Sequence, residues 1–431
     1  MQTNFSIEQL KDKDNQSSEK NFRKCVHCGT CNATCPTFHL LGDELDSPRG
    51  RIYLIKDMLE NKKKPNEHIV KHIDRCLSCC SCMTTCPSGV NYMHIIDHGR
   101  NYIEKYYRRP FFDRNIRNVL SIVIPNHHLF RLAGFFTKFV KPFKFLFPKK
   151  IKGMITLMPT NFPKKKMKDK TVYPVENGNK IARVALLTGC VQKVISPEIN
   201  EATIRLLNRH GVEVVVPKKI NCCGSLNHHL GKEDSAHKEF KNNILHWYDE
   251  YSKDGLDAII SNTSGCGTTI KDYGFIFRED AALEKKAKKI SELTKDISEY
   301  LSDNLKLNFK DNNKVYKIAY HSACSMQHGQ KIHSKPIDLL KKTGNEILEI
   351  PDGHLCCGSA GTYNMLQAEI ADKLLKEKVM NIEKIRPDII STGNIGCITQ
   401  IANGTNIPIL HTIELLDWHT GGPKPKILKG I

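Results

Sequence analysis

The 431-residue chain has no run of about 18 uninterrupted apolar residues, so no transmembrane helix is expected. Met1 to Lys20 is polar and charged and lacks the apolar core of a secretory signal. The cysteines are therefore expected as reduced thiolates in the cytoplasm, free to bind metal. No glycine-rich dinucleotide fingerprint follows a strand, because the nearest glycines, Gly224 and Gly358, belong to Cys-Cys-Gly. Neither FAD nor NAD is expected on this chain. Nothing resembles a nucleic-acid module, so no nucleic acid is expected as partner. Acidic residues are scarce: 46 Asp and Glu stand against 65 Lys and Arg, a net charge of +19. Part of that excess is background composition and part is local. The length allows two or three domains with sizeable cores.

What the chain has is cysteine, 17 residues of it. Eight fall into two copies of one pattern, Cys25-x2-Cys28-x2-Cys31-x3-Cys35-Pro36 and Cys76-x2-Cys79-x2-Cys82-x3-Cys86-Pro87. This is the ferredoxin run for a cubane [4Fe–4S] cluster, in which the fourth cysteine serves the other cluster. The crossing assigns Cys25, Cys28, Cys31 and Cys86 to one cluster and Cys76, Cys79, Cys82 and Cys35 to the second. Structural zinc would separate two Cys-x2-Cys pairs by a longer loop, and a disulfide framework is the other bland reading. Two clusters with no obvious substrate pocket beside them point to electron transfer. Cys80 lies next to Cys79 but off the ligand spacing, and reads as a spare thiol or a site of local ligand swapping.

Residues 1–20 form a flexible or capping lead-in, and 21–108 the two-cluster module, expected mainly helical. Ser47-Pro48 reads as an N-cap followed by proline at the first helical position. Asp43, Glu44 and Asp46 precede that helix, where acids favour its positive end; capping is weighed there against partner recognition. Val90 to Tyr107 is a further helix. Residues 109–178 form a basic amphipathic connecting segment. Phe111, Phe112, Phe135, Phe136, Phe139 and Phe143 alternate there with Arg114, Arg117, Arg131, Lys138, Lys141 and Lys144, followed by Lys164, Lys165, Lys166, Lys168 and Lys170. Prolines 125, 142, 148, 159 and 163 break it into short pieces. Such a stretch suits an anionic membrane surface or packing against the protein itself or a partner.

From about 179 the chain turns α/β and repeats itself, as 179–310 and 311–431. Strands Val184–Cys190, Val212–Val216 and Ala258–Ile260 alternate with helices over about 197–210 and 233–251. The second copy has strands Tyr316–Tyr320, Ile347–Ile350 and Asp388–Ser391, with helices over about 335–342 and 366–385. From the first cysteine to the Cys-Cys pair there are 31 residues in both copies. This alternation predicts parallel sheets with helical cover. It would bring Cys190, Cys222, Cys223 and Cys266 to one set of strand ends and Cys324, Cys356, Cys357 and Cys397 to another, the edge where open sheets hold ligands. A cluster at each site, a cluster at one, and thiol redox chemistry all fit these residues; so, more weakly, does plain burial. His228, His229, His321 and His354 lie beside these cysteines, as ligands, proton relays or hydrogen-bonded neighbours.

The four-cysteine repeat resembles the CCG domains of heterodisulfide reductase subunits. With the double ferredoxin module and the block Leu41-Gly42-Asp43-Glu44-Leu45-Asp46-Ser47-Pro48-Arg49-Gly50-Arg51-Ile52-Tyr53, the chain resembles the iron–sulfur subunits of glycolate dehydrogenase (glycolate oxidase). That resemblance runs from about residue 22 to 420. It implies a separate FAD-containing subunit that oxidises glycolate to glyoxylate, and a quinone as electron acceptor. It also implies a peripheral position on the inner face of the cytoplasmic membrane. The same layout serves glycerol-3-phosphate, lactate and heterodisulfide enzymes, and a membrane-bound scaffold with structural clusters is the reading without redox. Each repeat has Thr269 or Gln400 where the heterodisulfide pattern carries a further cysteine, which argues against its noncubane cluster.

Overall fold

Side-chain caps start the helices of the N-terminal module. In the computed structural model, Ser47 Oγ accepts from the Gly50 N–H at 3.0 Å and Pro48 opens the helix Pro48–Glu60. Asn66 caps Glu67–Asp74 and Asn91 caps Tyr92–Tyr106 in the same way. The structure describes residues 1–430 apart from 148, 158–162, 164–170, 177 and 311–313, and of 149–151 and 157 only the backbone. Pro148, Pro159 and Lys164, Lys165, Lys166, Lys168 and Lys170 thus lie outside the described residues, as do the side chains of Lys149 and Lys150. The three helices pack around Phe22, Ile55, Met58, Ile73, Ile95 and Ile96, none of them exposed. Each such side chain contributes about 1.5–3 kcal/mol by leaving water. Residues 1–20, expected as a lead-in, lie on this core: Lys13–Lys24 is a helix and Phe5 stacks on Phe22.

The remainder carries two sheets. Strands β1 (Val172–Tyr173), β2 (Ala182–Leu187), β3 (Val212–Val215), β4 (Ala258–Ser261) and β5 (Thr294–Asp296) take the order β1-β3-β2-β4-β5. Strands β6 (Lys317–Tyr320), β7 (Glu346–Glu349), β8 (Ile389–Thr392) and β9 (Ile409–His411) take the order β7-β6-β8-β9. Apart from β1, antiparallel at the edge, every pairing is parallel. The order β3-β2-β4-β5 repeats as β7-β6-β8-β9, so the internal repeat of the sequence is a repeat of topology. The central β2 and β4 are covered on both faces and read as apolar runs for that reason. The chain is α+β: a helical N-terminal module followed by two α/β cysteine-rich repeats.

The repeats share a core. Leu206 and Leu207 of helix Pro197–Arg209 pack with Leu415 and Leu416 of helix Thr412–His419. Arg205 and Arg209 both reach the buried Asp417 at 2.6 Å. At the start of Thr412–His419, Glu414 accepts the His411 N–H at 3.0 Å, and burial pushes its carboxyl up to about 8. Its folded value thus lies above the unfolded one, so the folded chain binds the extra proton. Stability is then fullest below about pH 4.5 and is lost as pH rises toward 8. Glu414→Gln keeps the cap and is expected to flatten that decline, read as urea midpoints between pH 5 and 8. An unchanged pH profile would contradict it.

Between module and repeats run the helices Phe111–Val123 and His127–Val140, a 3-10 turn Lys141–Leu146 and the helix Lys149–Leu157. Arg117 leaves the basic face expected of it: it is buried against Asp74 and Asp113 and ties its helix to the N-terminal module.

Candidate iron–sulfur sites and their thiols

The first ferredoxin turn and the proline-flanked Cys86 of the second meet. Cys25, Cys28, Cys31 and Cys86 line one cavity of about 30 Å³ with Cys82 of the second turn, Arg49, Ile52 and Tyr92. Burial and the neighbouring Cys25 and Cys86 sulfurs push the Cys31 thiol up to about 11. Sulfurs that resist ionising together become thiolates readily only around a cation, the chemistry of a metal site. Cys28 is exposed, so this site reaches the protein surface.

Cys76, Cys79, Cys82 and Cys35 are all buried. Burial pushes Cys82 well up, and the sulfurs of Cys79, Cys80, Cys76 and Cys35 add to it. Donors ring this set: the Ser78 N–H and the Tyr92 hydroxyl donate to Cys76 Sγ at 3.5 and 3.6 Å. Arg51 Nη1 lies 3.9 Å from Cys35 Sγ. Donors and positive charge beside sulfur stabilise the reduced form of an iron–sulfur centre.

The matched backbone of the two turns explains Cys80. His27 and Gly29 have φ of 57° and 80°, and their counterparts Ser78 and Cys80 have 52° and 60°. Cys80 stands where the first turn has glycine, in the left-handed region that costs an L-residue about 1–2 kcal/mol. Its thiol donates to the Ser78 carbonyl at 3.5 Å. Cys80→Gly is expected to leave the iron content unchanged and stability within about 1 kcal/mol, strain relief offsetting the lost thiol. Loss of iron would make Cys80 a ligand.

Each Cys-Cys-Gly forms one and the same turn. The Gly224 N–H donates to Cys222 Sγ and the Gly358 N–H to Cys356 Sγ, both at 3.4 Å. The glycines have φ of 78° and 86°. The Phe240 ring and the Ala371 backbone fill the space a side chain would need. Cys190, Cys222, Cys223 and Cys266 come together, and hydrogen bonds from Cys190 and Cys223 hold the Cys222 thiol well below its ordinary value. Cys324 and Cys356 stand 3.7 Å apart, sulfur to sulfur. Cys357, Cys397 and His321 have donor atoms within 4.8 Å of one another. Burial pushes His321 down to about 3, and neither ring nitrogen has a hydrogen-bond partner among the described residues. A neutral imidazole beside two thiols is a ready mixed N/S ligand set. The first repeat has no counterpart, because Leu187 holds the equivalent place, three residues before Cys190.

All eight repeat cysteines, with Cys76, line a single open cavity of about 320 Å³. Cys79, Cys356 and, partly buried, Cys324 belong to one apolar cluster, so the module's buried site abuts the second repeat. His228 and His229 are engaged, reaching Asp97 at 3.4 and 3.1 Å, whereas His354 contributes its backbone carbonyl, which accepts from His328.

The residues that sequence reading missed form the polar core behind Cys35. Asp46, fully buried, meets Arg75 at 2.6 Å, His72 at 3.0 Å and Arg51 at 3.4 Å. Arg51 also donates to the His72 carbonyl and to Thr37. Of the three acids before the helix, Asp43 caps the turn at Leu45 and Glu44 pairs with Arg49. Asp43, Asp46 and His72 could also gather round a cation, but two guanidiniums already neutralise Asp46. The available signal was an arginine at a position facing the apolar side of Pro48–Glu60.

Two family models match the chain: a 4Fe-4S dicluster domain over 21–90 and a cysteine-rich domain twice, over 184–271 and 318–402. The chain is 37% identical to the glycolate oxidase iron-sulfur subunit of Escherichia coli K12, over 97% of this chain and 98% of that one. It is 28% identical to a probable glycolate oxidase iron-sulfur subunit of Bacillus subtilis 168, over 90% and 89%. It is 27% identical to lactate utilization protein A of Halalkalibacterium halodurans, over 54% of this chain and 96% of that one. Among solved structures, a hypothetical protein from Helicobacter pylori matches with a TM-score of 0.55 at 10% identity, over 97% of this chain and 74% of that one.

Proposed function

The chain belongs to the family of glycolate oxidase iron–sulfur subunits, electron-transfer subunits of an oxidoreductase, and from that premise we propose a route for the electrons. Cys25, Cys28, Cys31 and Cys86 hold one [4Fe–4S] cluster, and Cys76, Cys79, Cys82 and Cys35 the second. The repeat thiols, Cys190, Cys222, Cys223 and Cys266 in one copy and Cys324, Cys356, Cys357 and Cys397 in the other, hold further iron–sulfur centres, His321 among the ligands of the second. Such clusters, when bound, accept and release one electron at a time. An FAD-containing subunit oxidises glycolate and delivers electrons at the exposed Cys28 side. From there they cross to the buried site and, through the shared apolar cluster of Cys79 and Cys356, to the repeats and a quinone. Glycolate chemistry belongs to that subunit, and no described residue of this chain is assigned a part in it.

The observation that carries this reading is the continuous placement of the thiols, from the exposed Cys28 to the cavity lined by all eight repeat cysteines. Iron and sulfide analysis of anaerobically isolated protein tests it: about eight iron atoms are expected for two cubanes, with more from the repeats. Fewer than about four would contradict it.

Peripheral membrane contact is part of the proposal. Among the described residues no single helix is long and apolar enough to cross a membrane. Phe111–Val123 and His127–Leu146 form a pair bent by 118°. Phe135, Phe136, Phe139 and Phe143 are exposed there, each by more than half. Arg131, Lys138 and Lys144 sit among them, as expected of a segment lying in an anionic interface. Replacing those three by glutamate is expected to weaken binding to phosphatidylglycerol vesicles by about a hundredfold or more, at about 1 kcal/mol per charge, with less effect at high salt. Unchanged binding would make this face a packing surface.

A further inference from the structure

We infer that the cavity shared by the two cysteine-rich repeats is the site at which the quinone headgroup is reduced, reached past the apolar wall made by Ile124, Phe130, Leu230 and Leu366. The inference rests on the quinone reading above and adds the place and the way in.

Size is the first argument. The thiol-lined site of Cys25, Cys28, Cys31 and Cys86 has a cavity of about 30 Å³, and the shared cavity is about 320 Å³. Only the shared cavity is within the range of small-molecule sites, roughly 300–1000 Å³.

Position is the second argument. The cavity is bounded by both sets of repeat thiols and by Cys76, Leu77 and Ser78 of the N-terminal module. Quinone takes two electrons, whereas iron–sulfur centres deliver them singly, so a site touching more than one centre meets the stoichiometry. Centres held by the two sets of repeat thiols would supply one electron each. Two protons from water in the open cavity form two O–H bonds, and quinone leaves as quinol.

The wall is the third argument. Ile124, Phe130, Leu230 and Leu366 line the cavity and also form, with Leu120 and Val194, a buried apolar cluster. Phe130 belongs to His127–Val140, the helix whose other face exposes Phe135, Phe136 and Phe139. One short helix therefore has its outer face in the apolar surface and its inner face on the cavity. A thiol-lined site for a water-soluble acceptor would have no use for such a wall. An isoprenoid-tailed quinone needs one, because its tail stays in an apolar setting while the headgroup reaches the thiols.

The test uses the complete complex, isolated without oxygen and supplied with a short-chain azidoquinone under light. Label is expected within residues 116–130, 226–230 or 363–367, and excess unmodified quinone should prevent it. Label confined to other segments, or to another subunit, would overturn the inference. Leu230→Trp and Leu366→Trp, which narrow the passage, are expected to lower quinone-driven reoxidation relative to ferricyanide-driven reoxidation by roughly tenfold. An unchanged ratio in both would likewise overturn it. Labelling of the unaltered complex decides the matter whether or not the variants assemble. If glycolate fails to reduce the centres while label still maps to the cavity, the donor reading falls and the quinone site stands. If glycolate reduces them and label maps elsewhere, the site falls and the donor reading stands.

Discussion

Asp46→Ala is expected to destabilise the N-terminal module by about 3–5 kcal/mol and to release iron from the site beside it. Asp46 is fully buried, and Arg51, at its side, is 1% exposed. Burial alone would favour an uncharged Arg51; Cys76, Tyr92 and Cys35, and after them Asp46, hold the cation well above its ordinary range. Taking away the carboxylate leaves the buried Arg51 guanidinium, with the partly exposed Arg75 beside it, without that counter-charge. The same residue's carbonyl accepts from Thr37 Oγ1 at 2.7 Å and from Cys35 Sγ at 3.6 Å. Movement of this turn therefore moves a thiol of the buried site. Asp46→Asn keeps the shape and loses the charge, so it should fall between wild type and alanine. Urea midpoints and iron content of anaerobically purified variants check this. A loss under about 1 kcal/mol with full iron would mean that the network is incidental to the site.

Cys86→Ser is expected to remove the centre built on the first ferredoxin turn, not the second, and Cys35→Ser the reverse. Each should cost about four iron atoms and the reduced-cluster resonance of its own centre. Cys86 lines the cavity with Cys25, Cys28 and Cys31 although 54 residues separate it from Cys31, whereas Cys35 sits with Cys76, Cys79 and Cys82. On the proposed route, in which electrons arrive at the exposed site, Cys86→Ser should also abolish reduction of the remaining centres by glycolate, while dithionite still reduces them. If Cys86→Ser and Cys76→Ser remove the same resonance, the clusters do not cross.

Several of these features could be read without coordinates. The ferredoxin turns, the Ser47-Pro48 helix start and the repeated strand–helix order leave periodic or invariant-spacing marks. The strands fell within two or three residues of their places, Val184–Cys190 ending early at Leu187 because the glycine turn at Gly189 follows. β1, β5 and β9 were not anticipated: at two or three residues they are too short to show alternation. The helix expected over 366–385 is broken at Gln367, whose φ of −121° ends Tyr363–Leu366 before Ala368–Lys384 begins. Burial is a tertiary property, so Asp46 read as a capping acid and Arg117 as part of a basic face. The meeting of the eight repeat thiols on one cavity depends on how the two sheets pack, and spacing within one repeat carries no information about that.

The central claim is that this chain carries electrons away from glycolate. Glycolate is added to the complex isolated without oxygen, and the visible absorbance of its iron–sulfur centres is recorded, with D-lactate and glycerol-3-phosphate as comparisons. Bleaching by glycolate, reversed by quinone, is the predicted result. Full bleaching by dithionite with none by glycolate, in a complex that retains its flavin, would contradict it.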